Sequence, residues 1–183
     1  MVYVYLAPGF EEAEALLPMD LLIRAGIDVC SVAVESDTVV TGSHGLSLTA
    51  DVSPRALTEL PDDAEMLVLP GGMPGTSNLQ KSPLVQAHLA EAIRRGLPLA
   101  AICAAPSVLG QIGVLKGKRA TCFPGFEDAL IGAEVCDCGV VTDSNVITAR
   151  ALGSAHEFAF AIIRLLKDDE TAEKVRTSVF YQA

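Results

Sequence analysis

Short runs that are apolar at nearly every position alternate along this chain with longer stretches of helical period, and this alternation restricts the fold more tightly than any other feature. A strand without a polar face must be covered above and below, so the pattern predicts a mainly parallel sheet with helices on both sides. The strand-like runs are VYVYLA (2–7), which stops at Pro8-Gly9, DVCSVAV (28–34), LSLTADV (46–52), MLVLP (66–70), LAAIC (99–103) and RATCF (119–123). Residues 134–149 read as a hairpin or two short strands. Helical spacing marks 11–26, 104–113 and 83–96, the last with a face of Leu84, Val85, Leu89, Ala92 and Ile93 and an end at Gly96. It also marks 153–168, with Ser154 as cap, before a short final helix.

Half of the residues are hydrophobic and a fifth are charged, which suits one α/β domain spanning 1–183. The first apolar run is interrupted too early for a signal peptide or membrane span, and five cysteines without a regular framework suit free thiols in a cytoplasmic setting. A net charge of −10 without any Lys/Arg cluster argues against nucleic acid and leaves small molecules or proteins as partners. The acidic runs Asp62-Asp63 and Asp168-Asp169-Glu170 read as solvated caps or turns, and no metal or other cofactor is expected.

In an open parallel sheet every loop leaving a strand's carboxyl end lies on one edge, where ligands bind beside a switch in strand order. Three such loops carry unusual chemistry here. One holds Glu11, Glu12 and Glu14 after Pro8-Gly9, one is Pro70-Gly71-Gly72, and one begins at Cys103. A thiol at a sharp turn from strand to helix projects from the edge, the helix start favours its thiolate, and Ala101, Ala104 and Ala105 leave room for the turn. The alternative is a small buried core residue. Gly71 and Gly72 favour the first reading, because glycines permit close approach and leave main-chain N–H donors free for an oxyanion. Glu11 and Glu14 share a helical face while Glu12 points elsewhere. A carboxyl desolvated beside a thiolate would stay protonated and donate to sulfur; acidic residues merely favouring a helix N-terminus are the alternative.

"GFEEAEALLPMDLLIRAG", "LVLPGG" and "AAICAAP", in that order, together with "ARALGSAHEFAFAII", closely resemble the ThiJ/PfpI superfamily in its DJ-one-like branch over essentially the whole chain. The resemblance implies a flavodoxin-like three-layer sandwich, usually a homodimer, with Cys103 as the reactive, readily oxidised cysteine and Glu14 as the protonated glutamate bonded to it. It places the oxyanion-binding amides at Gly72 and Ala104, with Gly71 and Phe123 around them, and dimer contacts at Arg24 and His44. Phe123 stands where a relative has a histidine, and His44 where it has a second interface arginine. Ala104 directly after the cysteine departs from the protease members, and His156-Glu157 lacks the spacing of an amidotransferase. Cys122 reads as a buried strand residue, with a resolving thiol as the alternative, and His88 as an inert residue of a surface helix.

The implied activity is cofactor-independent conversion of methylglyoxal to lactate, or action on early glycation adducts, through a Cys103 hemithioacetal. The alternatives are a redox sensor or chaperone acting through Cys103 oxidation, and the thiamine-pathway role of older family labels.

Overall fold

The computed structural model describes residues 1–35 and 38–182. In chain order its elements are β1 (Val2–Leu6), α1 (Glu12–Arg24), β2 (Val29–Ala33), β3 (Val39–Thr41), β4 (Ser47–Thr49), β5 (Met66–Leu69), α2 (Gly75–Lys81), α3 (Pro83–Arg95), β6 (Leu99–Ile102), α4 (Pro106–Gln111), β7 (Arg119–Ala120), β8 (Glu134–Val135), β9 (Val140–Asp143), β10 (Val146–Ala149), α5 (Ala155–Leu166) and α6 (Asp169–Ser178).

The central sheet runs β2-β1-β5-β6-β10-β9, with every pair parallel except β10 with β9. Its five parallel strands therefore follow the order second, first, third, fourth, fifth, which is the flavodoxin-like arrangement, and the order reverses between β1 and β5. Alternate strand residues feed two cores. Val2, Val4, Leu6, Met66, Val68, Ala100 and Ile102 pack under α1 and α5, whereas Tyr3, Tyr5, Leu67, Leu69, Leu99 and Ala101 pack under α3 and α4. The expected three-layer α/β sandwich is thus present. Among the described residues, no helix is long and apolar enough to cross a membrane.

Several local readings need correction. The run 46–52 contributes only β4, which pairs with β3 in a separate antiparallel hairpin, and 119–123 contributes only β7, which pairs with β8 outside the central sheet. The polar stretch after Gly72 forms α2, held by tertiary contacts rather than propensity: Leu79 is fully buried and the Asn78 amide donates to the Pro8 carbonyl at 2.8 Å. On α3, Ile93 is exposed and His88 takes its place in the buried face, 1% accessible and bonded through Nδ1 to the Tyr5 hydroxyl at 2.8 Å. His88 is therefore a core residue. Ser154 precedes α5 at the end of a tight helical turn (Leu152–Ser154), and its hydroxyl does not cap the helix. Asp168 does cap α6, accepting from the Thr171 amide at 2.7 Å.

Candidate active site

Cys103 follows β6 directly and adopts φ +65°, a left-handed conformation that L-residues with a side chain rarely take. Such strain persists only where the surroundings enforce it. Here the Cys103 amide donates to the Ala149 carbonyl of β10 at 2.9 Å, and its carbonyl accepts from the Phe123 amide at 2.8 Å. The turn aims a half-buried thiol out of the sheet edge, as the small residues around it suggested. Pro106 then opens α4 at a position that needs no N–H.

The loop after β5 closes over the sulfur. A Cβ placed on Gly71 would stand 2.5 Å from both Cys103 Cβ and Glu14 Oε2, so only glycine lets the three loops converge. Gly72 has φ +89°, and its amide and that of Ala104 both reach the Cys103 sulfur. From the first loop, Glu11 caps α1 by accepting the Glu14 amide at 2.6 Å. In the first turn of α1, the Glu14 carboxyl is 2% exposed, hydrogen-bonds the Cys103 side chain and accepts the Gly71 amide at 3.2 Å and the Leu152 amide.

Burial raises Glu14 to about 7, aided by the charge on Glu11 and opposed by its bonds to Cys103, Gly71 and Leu152. Burial also pushes the Cys103 thiol up to about 12, with the Glu14 charge adding to it and the Gly72 and Ala104 amides pulling back. Two negative charges oppose each other in this pocket, so above about pH 7 the pair holds one proton, mostly on Cys103, and a thiolate forms there when Glu14 carries that proton instead.

The structure brings together Cys103, Glu14, Gly71, Gly72 and Ala104, with Phe123 adjoining through its amide. The Phe123 ring is 43% exposed and offers no proton carrier. Cys122 is buried and does not join the pair. Arg24 lies at the exposed end of α1, bonded to Asp20 at 2.7 Å.

Sequence reasoning missed the role of Glu12, which points away from Cys103 but into the protein. Its carboxylate is 5% exposed and accepts from the His44 amide (2.9 Å), His44 Nδ1 (2.9 Å), the Leu46 amide (3.3 Å) and the Ser43 hydroxyl (3.4 Å). Burial would raise it, but these bonds outweigh burial and hold it at about 2, while the Glu12 carboxylate raises His44. Donor atoms of Glu11, Glu12 and His44 lie within 4.8 Å of one another, close enough to surround a cation, although hydrogen bonds already occupy those of Glu12. Only the glycine at 42 and the polar residues after it hinted at this partnership.

The family model described as DJ-1/PfpI family matches residues 1–165. The chain is 37% identical over 174 residues to the protein dj-1beta of Drosophila melanogaster, covering 94% of this chain and 92% of that one. It is 34% identical over 169 residues to a protein of Pyrococcus abyssi named as a deglycase, covering 91% and 99%. The solved structure of oxidized Toxoplasma gondii DJ-1 is similar with a TM-score of 0.93 and 33% identity, covering 100% of this chain and 98% of that one.

Proposed function

From the premise that this chain belongs to the DJ-1/PfpI family, we propose that it is a cofactor-independent cysteine enzyme acting on α-oxoaldehydes such as methylglyoxal or on their early glycation adducts. The buried Glu14–Cys103 pair, sharing one proton beneath two main-chain amides, carries this reading. The deglycase name of the archaeal relative supports it at the level of the family.

The Cys103 sulfur adds to the aldehyde carbon while the shared proton rests on Glu14, giving a hemithioacetal whose oxygen develops negative charge beside the Gly72 and Ala104 amides. Glu14 protonates that oxygen, and as a carboxylate it then removes the hydrogen from the former aldehyde carbon. Returning that proton to the adjacent carbon, while the hydroxyl proton passes to the neighbouring oxygen, yields a lactoyl thioester. Water cleaves the thioester, so methylglyoxal and one water give lactate and the free thiol. Because Phe123 brings no imidazole, Glu14 is the acid–base group in contact with the sulfur.

Lactate formation by the purified protein, Cys103→Ser and Glu14→Gln tests the proposal. Both variants are expected to lose activity by at least about a hundredfold. If the unaltered chain makes no lactate while Cys103 converts readily to sulfinate, the proposal falls and the sensor reading takes its place.

A further inference from the structure

A second pair of thiols lies away from Cys103, just after β8. Cys136 and Cys138 are free and half-buried in a stretch, 136–139, that belongs to no strand. Between them the Asp137 side chain is 89% exposed and pairs with Arg150. In an extended segment, side chains on either side of one residue share the face opposite to it, so both sulfurs lie on the face away from the Asp137 side chain. There the Arg119 guanidinium of β7 hydrogen-bonds Cys136 and lies in the field of Cys138.

We propose that Cys136 and Cys138 form a dithiol that hydroperoxides close to an intrachain disulfide and thiol reductants reopen. Extended residues two apart stand roughly 7 Å apart between Cα atoms, just beyond the range of about 4.4–6.8 Å that a disulfide spans. The chain bends at Cys138 and Gly139, so a small local contraction suffices. The flanks are fixed: the Cys136 amide donates to the Ala120 carbonyl at 2.8 Å, and the Cys138 carbonyl accepts the Thr121 hydroxyl at 2.9 Å. Each thiol also bonds a local carbonyl, that of Glu134 for Cys136 and that of Val140 for Cys138, both at 3.6 Å. A cavity of about 240 Å³, bordered by Cys136, Cys122 and Arg150, gives a small oxidant access. The positive charge bonded to Cys136, with Cys138 in its field, opposes a metal cation there and favours attack by the Cys136 sulfur as it becomes negative in the transition state.

In the first step Cys136 gives its proton to solvent and its sulfur attacks the peroxide oxygen. The O–O bond breaks, the alcohol or water leaves, and Cys136 becomes a sulfenic acid. The Cys138 sulfur then attacks that of Cys136, and hydroxide leaves with the Cys138 proton as water. Two thiols are oxidised by two electrons and one hydroperoxide is reduced. Two equivalents of external thiol reverse the bond by exchange.

The test uses the full chain carrying Cys103→Ser, which removes the reactive cysteine of the proposed enzyme and makes the two ideas separable. A few equivalents of hydrogen peroxide should remove two hydrogens by intact mass, protect Cys136 and Cys138 together from alkylation, and leave a dithiothreitol-sensitive link between them in Glu-C peptides. Adding Cys138→Ser should leave a dimedone-reactive Cys136. Arg119→Gln should slow closure about tenfold while Arg119→Lys retains most of the rate. Persistent alkylation of both thiols after peroxide, a bond to Cys122 or between chains, or closure indifferent to Arg119→Gln would each overturn the proposal.

Discussion

A carboxyl that is 2% exposed and bonded to a thiol makes the reactivity of that thiol depend on a single dissociation. Glu14 loses its proton at about pH 7 and Cys103 at about 12, so the pair holds one proton between those values, and its nucleophilic form is the minor one in which that proton sits on Glu14. Alkylation of Cys103 by iodoacetamide should therefore rise with pH up to about 7 and level off above it, whereas in Glu14→Gln, which removes the charge that raises the thiol, it should keep rising past 7 and exceed that of the unaltered chain. A stopped-flow pH profile measures both. The same burial affects stability. Glu14 binds its proton more tightly folded, at about 7, than its ordinary value of 4.5, so the folded state holds more protons between those values and loses stability as pH rises through them. The cost is complete above about 7 and amounts to about 3 kcal/mol. Urea melts should show Glu14→Gln stabilising the protein at pH 8 and much less so at pH 5. The sequence showed which carboxyl lies near the cysteine only through the family motif, because helical spacing alone left Glu11 and Glu14 on one face. That such a carboxyl would keep its proton beside the sulfur followed from desolvation in principle, but which residues desolvate it depends on three distant loops meeting, and spacing along the chain does not encode that.

At the scale of elements, the start of α1 organises two loops with adjacent carboxyls. Glu14 faces the sulfur, while Glu12 fastens the turn at 42–46 that joins β3 to β4. Removing that carboxylate strands several donors at once. Glu12→Ala is expected to cost about 2 kcal/mol, lowering the melting temperature by about 4–8 °C and speeding hydrogen exchange at His44 and Leu46. Because Glu12 is held near 2, its contribution is present above about pH 4.5 and fades as pH falls toward 2. Elements with strong period were readable in advance, as β1, β5, β6, α3 and α5 illustrate. The sequence GTSNLQK of α2 has little helical preference, and only its packing through Leu79 and Asn78 makes it a helix. Likewise β3, β4, β7 and β8 pair outside the main sheet, a choice of partner that apolar patterning does not encode.

Over the whole molecule, the reversal in strand order between β1 and β5 gathers the loops of Glu14, Gly71 and Cys103 on one edge. The alternation of apolar runs and helices made that sheet and the edge where its loops gather legible from the sequence. It did not reveal that the core under α3 contains a polar pair, Tyr5 and His88, because a lone histidine on a helix carries no sign of its burial. Burial lowers His88, keeping the ring neutral. Tyr5→Phe should destabilise the fold by about 1–3 kcal/mol, whereas Tyr5→Phe with His88→Leu should recover most of that loss. Chemical denaturation of the two single variants and the double variant gives the coupling. The cramped contact at Gly71 bears on how proteins built on this plan can diverge. With no volume to spare between the acid, the thiol and the backbone beneath them, changes that leave this contact intact are confined to the solvent side, in exposed side chains such as Met73, Phe123 and Leu152.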